Sequence, residues 1–142
     1  MKVLLAILSD IHFSEGPSNP IPRRVGAITS AIASTEVRPD AIVLLFCGDI
    51  ANFGLSVEYG IAMTFVNALR NGLAVRFPSI SIYAFAVPGN HDLEHEENSE
   101  DFRKKTVEGS KESMRNPQSN LFYLKQLLDP QENYWEFAQN LD

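Results

Sequence analysis

The sequence has one cysteine, Cys47, among 142 residues, which excludes a disulfide framework within the chain and fits a reducing compartment. Cys47 lies in an apolar run, where a small buried hydrophobe is the expected role. Long apolar runs are also missing. None reaches the ~18 residues of a membrane span, and the Val3–Leu8 stretch is short for a secretory leader. Ser9-Asp10-Ile11-His12 follows it, where a leader would need a small-residue cleavage site. A cytoplasmic protein without a membrane association is expected. Positive charge is scarce as well: 12 Lys and Arg against 18 Asp and Glu give a net charge of −6. No general basic field therefore attracts nucleic acid or anionic lipid.

What remains is the composition of an ordinary globular chain, 44% apolar and 21% charged, long enough for one domain or part of one. Three short apolar runs, Val3–Leu8, Ala41–Cys47 and Ile80–Val87, read as strands. Their near-continuous apolarity suits parallel strands covered on both faces. Between the first two runs, Ile21, Val25, Ile28 and Ile32 recur at helical spacing, so a helix is expected from about Arg23 to Ser34, with Pro22 at its start. Between the second and third, Val57, Ile61, Phe65, Ala68 and Leu69 form another stripe, with Gly72 and then Pro78 marking its end. The order β-α-β-α-β predicts a mainly parallel sheet with right-handed crossovers over residues 1–92.

After Asp92 the character changes. Residues 93–118 read as a charged insertion or lid, and residues 119–142 as a helical segment interrupted by Pro130. His95 among glutamates and the Arg103-Lys104-Lys105 cluster read as solvated surface, although either could serve a ligand. Tyr134, Trp135 and Phe137 read as core or as an interface.

Each predicted strand runs directly into a metal-capable motif: Asp10-Ile11-His12, Gly48-Asp49 and Gly89-Asn90-His91-Asp92. In an open parallel sheet, ligand groups gather beyond the carboxyl ends of the strands, so three such motifs would meet at one point. Asp-x-His and Gly-Asp are weak signals taken singly. Gly-Asn-His-Asp should arise by chance in on the order of one in a thousand chains of this length. The bland alternative is a set of polar turns capping helices, and the coincidence of three such turns argues against it. Carboxylate, imidazole and amide oxygen together suit Mn²⁺, Fe²⁺ or Zn²⁺. Two such cations ~3.5–4 Å apart can clamp a phosphoryl group and activate a water, with an Asp as the bridge. Gly48 and Gly89 would let the backbone turn sharply at the site.

These residues, with Gly48-Asp49-Ile50-Ala51-Asn52-Phe53-Gly54 and Val87-Pro88-Gly89-Asn90-His91-Asp92, resemble the calcineurin-like metallophosphoesterase superfamily over about residues 2–92. Ser9-Asp10-Ile11-His12-Phe13 with Gly48-Asp49-Ile50-Ala51 looks like a bacterial branch of it found as the leading domain of longer proteins. The resemblance implies the parallel-sheet half of a four-layer αββα sandwich and hydrolysis of a phosphomonoester or phosphodiester at a dinuclear centre. It implies that Asp10 and His12 hold the first metal, Asp49 bridges both, and Asn90 ligates the second. His91 would be the catalytic residue, assisting the leaving group.

Two departures from the family pattern stand out. Asn52 occupies a position where many members carry an Asp that orients the catalytic histidine; Asn can still hydrogen-bond an imidazole but brings no charge. The family also completes its site with a later histidine and a Gly-His-x-His motif, whereas His12, His91 and His95 are the only histidines here. The expectation is therefore an underfilled site in a truncated domain, with an apolar sheet face needing cover. Missing ligands would come from a C-terminal remainder or from a partner chain. A non-catalytic regulatory or protein-binding module is the alternative. A nucleic acid substrate is open but unsupported; the acidic balance mildly favours a small phosphate ester.

Overall fold

Strands β1 (Val3–Leu8), β2 (Ala41–Cys47) and β3 (Ser81–Val87) form a parallel sheet in the order β1-β2-β3. This arrangement comes from a computed structural model that describes residues 1–16, 19–94, 108 and 128–141. The register pairs Leu8 with Phe46 and Phe46 with Ala86, so all three strands end at the same edge of the sheet. β3 starts one residue later than its apolar run, because the Ile80 amide donates to Phe77 O (3.1 Å) and closes a turn instead of joining the ladder.

A 3₁₀ turn at Ile21–Arg24, with Pro22 in it, leads into helix α1 (Val25–Ala33), close to the helix expected there. Helix α2 (Ser56–Arg76) connects β2 to β3. Gly72 does not end α2, as its identity had implied; the helix runs on to Arg76. A Cβ on Gly72 would lie 2.9 Å from Thr29 Oγ1 and 3.1 Å from Thr29 Cγ2, so the glycine marks where α1 and α2 press together. At the start of α2, Glu58 is buried and reaches back to accept from Phe53 N (2.8 Å) and Leu55 N (3.2 Å). Leu55 has no side-chain acceptor to return the bond, so this is half of a capping box.

The helices cover one face of the sheet. Ile42, Leu44 and Phe46 point into it and are fully buried in one core with Phe65, Val66, Leu69 and Leu73 of α2. Burying each such side chain contributes roughly 1.5–3 kcal/mol. A third helix, α3 (Glu132–Gln139), packs on α2 through Tyr134 and Phe137, whose rings lie 6.4 and 5.3 Å from that of Tyr59. Trp135 does not share in this core: it is exposed, since one residue along a helix turns the side chain away from the buried face.

The opposite face corrects the reading of strands covered on both sides. Val3, Leu5 and Ile7 of β1 and Tyr83, Phe85 and Val87 of β3 are 47–62% exposed. Cys47 shares this face and is half-buried rather than fully buried. The expected apolar face needing cover is thus the odd-numbered side of the sheet. Most of the expected 93–118 insertion falls outside the described residues, His95 and Arg103-Lys104-Lys105 included, as does the helical pattern over 119–127.

Candidate metal centre

The common edge of the three strands brings the motifs together. Beyond β1 and β2 the chain keeps pairing through the motifs. The Asp10 amide donates to Gly48 O (3.2 Å), His12 to Asp49 O (2.9 Å) and Phe13 to Ile50 O (2.8 Å), and Asn52 donates back to Phe13 O (3.1 Å). Gly48 N donates to Val87 O (2.9 Å) and joins the third strand. Between the polar residues sit Ile11, Phe13, Ile50 and Ala51, all buried, with the Phe13 ring 5.2 Å from that of Phe65. Apolar members of each motif anchor the turn in the core, and the polar members are left at the edge.

The backbone there is unusual. Asp10 (φ 52°), His12 (φ 51°) and Asp49 (φ 48°) are the non-glycine residues with positive φ among those described. For an L-residue this conformation costs about 1–2 kcal/mol. Three such residues in one cluster indicate a surrounding structure that overrides local preference, a pattern typical of functional sites. Gly48 (φ 75°) meets the same demand without a side chain, as expected. Gly89 contributes space rather than an unusual turn, because a Cβ there would come closer than 3.0 Å to Asp49 N and Oδ1.

His12, Asp49 and His91 each present a ligand atom within 4.8 Å of the others, and all three are half-buried. His12 Nε2 lies 3.9 Å from Asp49 Oδ2, and the two imidazole rings stand at 86° with centroids 4.7 Å apart. Asp10 is adjacent in the chain but exposed and outside this group; Asn90 is exposed at the turn between Gly89 and His91. His91 N donates to Asp49 Oδ1 (2.9 Å), so the third motif orients the carboxylate of the second.

His91 Nδ1 lies 2.8 Å from the main-chain carbonyl of Asn52. A carbonyl can only accept, so Nδ1 carries the proton and Nε2 is the ring nitrogen left for the site. The contact expected from the Asn52 side chain is made by its backbone, for which the identity of residue 52 matters little.

Three residues of this site had no assigned role from the sequence: Asp92, Tyr59 and Glu58. Asp92 is 1% exposed. Its carboxylate accepts from Ile50 N (3.2 Å), Ala51 N (2.8 Å) and Gly89 N (2.8 Å), which ties the second motif to the third. Tyr59 Oη, from α2, donates to it at 3.0 Å. Burial, with Asp92 adding to it, pushes the Tyr59 hydroxyl well above the ordinary tyrosine value, so it stays a donor. The position of Asp92 at the end of Gly-Asn-His-Asp was a usable signal. Tyr59 and Glu58 carried none, since both lie outside the Val57, Ile61, Phe65, Ala68 and Leu69 stripe that marked the helix.

The strand ends of this parallel α/β sheet gather two histidines and a carboxylate that could hold a metal ion at its carboxyl edge. Comparison with protein families gives the particular: the model for the calcineurin-like phosphoesterases matches residues 3–139, and the chain belongs to that family. No curated protein matches the sequence.

Proposed function

We propose that this chain is a metal-dependent phosphoesterase acting on a phosphomonoester or phosphodiester at the strand edge that carries His12, Asp49 and His91. The observation that carries the reading is the convergence of His12, Asp49 and His91, whose ligand atoms lie within 4.8 Å of one another, with His12 Nε2 3.9 Å from Asp49 Oδ2. The donor set fits a divalent cation of the Mn²⁺, Fe²⁺ or Zn²⁺ kind.

In this reading Asp10, His12, Asp49 and Asn90 would hold two divalent cations. Cations bound there supply positive charge to the phosphoryl oxygens and acidify a water. The chain's own residues supply the orientation. Asp49 is aimed by the His91 amide, and the strained turns keep the donors at a fixed spacing. His91, steadied by Asn52 O at Nδ1, turns Nε2 to the site; in its doubly protonated form, with the second proton taken up at Nε2 from solvent, it would pass that proton to the departing oxygen.

The test is Mn²⁺-dependent hydrolysis of aryl phosphomonoesters and phosphodiesters by the chain and its Asp49→Asn variant. Turnover that needs Mn²⁺ and falls at least about 100-fold in the variant is expected. Folded wild-type protein that turns over no faster than Asp49→Asn would remove the catalytic reading and leave a metal-binding module.

A further inference from the structure

The buried carboxylate of Asp92 sits where the two turns that carry Asp49 and His91 meet. It receives main-chain amides from both sides, Ile50 and Ala51 on one and Gly89 on the other. Among the described residues, the donor to it besides these amides is the hydroxyl of Tyr59, reached from the first turns of α2. That hydroxyl also lies 3.1 Å from the Asp92 carbonyl, so it grips the residue at both side chain and backbone. The Tyr59 ring is itself held by Tyr134 and Phe137 of α3.

We propose that Tyr59 is a positioning residue of the metal site, acting through Asp92 to set the separation of the Asp49 and His91 turns. The proposal rests on the metal-site reading and deepens it. Asp92 holds the turns through Oδ2, which accepts from both Ile50 N and Gly89 N, while Oδ1 accepts from Ala51 N, so a shift of that carboxylate moves the turns relative to each other. Its amide partners are fixed in the main chain, and among the described residues the Tyr59 hydroxyl is the side-chain donor to it. Without the hydroxyl the carboxylate keeps its amides but loses one of the two contacts on Oδ1, the other being Ala51 N. The His91 amide bond to Asp49 Oδ1 then loosens, and the ligand carboxylate with it. Loss of an outer contact of this kind typically costs 10–100-fold in metal affinity.

The experiment compares wild type, Tyr59→Phe and Tyr134→Phe. Tyr134→Phe is the structural control: it removes another buried hydroxyl, whose partner is Ala86 O (2.9 Å) in β3 and not Asp92. Amide exchange at Ile50, Ala51 and Gly89 is measured on the metal-free proteins, and Mn²⁺ affinity by titration calorimetry. Tyr59→Phe is expected to speed exchange at those amides about 10-fold over Tyr134→Phe and to weaken Mn²⁺ binding by about 10-fold. Exchange no faster than in Tyr134→Phe overturns the clamp. Wild type that binds Mn²⁺ with Tyr59→Phe binding it equally well overturns the positioning role alone. Wild type that binds no Mn²⁺ overturns the metal site itself, and the role with it.

Discussion

Gly89→Ala probes how tightly the second and third motifs are locked. A Cβ at residue 89 would come closer than 3.0 Å to both the main-chain nitrogen and the Oδ1 of Asp49. The side-chain oxygen could swing away, but the nitrogen cannot, because Asp49 sits in a turn already held at positive φ. The ends of β2 and β3 must therefore separate. Forcing a methyl into a packed site costs about 1–3 kcal/mol. Loss of the His91 amide bond to the Asp49 carboxylate adds about 1.5–3 kcal/mol. A total of about 2.5–6 kcal/mol lowers Tm by roughly 8–18 °C in a domain of this size. Gly26→Ala is the internal comparison: it lies in α1 with nothing within 4 Å of its Cβ, and it should gain about 1 kcal/mol from helix propensity. Scanning calorimetry and Mn²⁺ titration on both variants read the result. Gly89→Ala with wild-type Tm and Mn²⁺ affinity would show that the turns are not in contact as described.

Other outcomes follow from the same geometry. Leu44→Ala should cost 2–5 kcal/mol by chemical denaturation, whereas Leu5→Ala on the exposed face should cost under about 1 kcal/mol; equal costs would mean that the odd face is covered. Asn52→Ala should leave the His91 Nδ1 resonance unchanged in ¹⁵N spectra, because the main-chain carbonyl is the acceptor. A shift to a mixed tautomer would assign the contact to the side chain. Burial, helped by Asp92, pushes the Tyr134 hydroxyl up to about 12, and that of Tyr59 is raised further. Both stay neutral in the fold while an unfolded tyrosine ionises near 10, so this stability is intact below about pH 10 and declines as pH rises toward 12. The slope should approach about 1.4 kcal/mol per pH unit for each tyrosine. Urea melts at pH 9 and pH 11 should show the loss, and Tyr59→Phe should reduce it; equal stability at both would contradict the burial.

The elements of this fold were legible because their signals are local. Apolar runs of six or seven residues gave β1 and β2 to the residue, and three-four spacing gave α1 and most of α2. The site's location was legible for the same reason: each motif abuts a strand, and parallel strands in register must end together. Family membership was carried by those motifs. Contacts between residues distant in the chain carry no such local mark. Gly72 reads as a helix stop until α1 lies against it, when the missing Cβ becomes room for Thr29.

The sequence by itself determined that three metal-capable turns would meet at one sheet edge, since strand direction and motif position are both written in the chain. Only the tertiary structure decided how they are held. Asp92 bridges turns some 40 residues apart, Tyr59 reaches it from α2 although it lies outside the apolar stripe that marked that helix, and a backbone carbonyl does what residue 52 was expected to do with its side chain. It also decided which sheet face the helices cover, because a strand of continuous apolar residues offers either face equally and the packed helices choose between them.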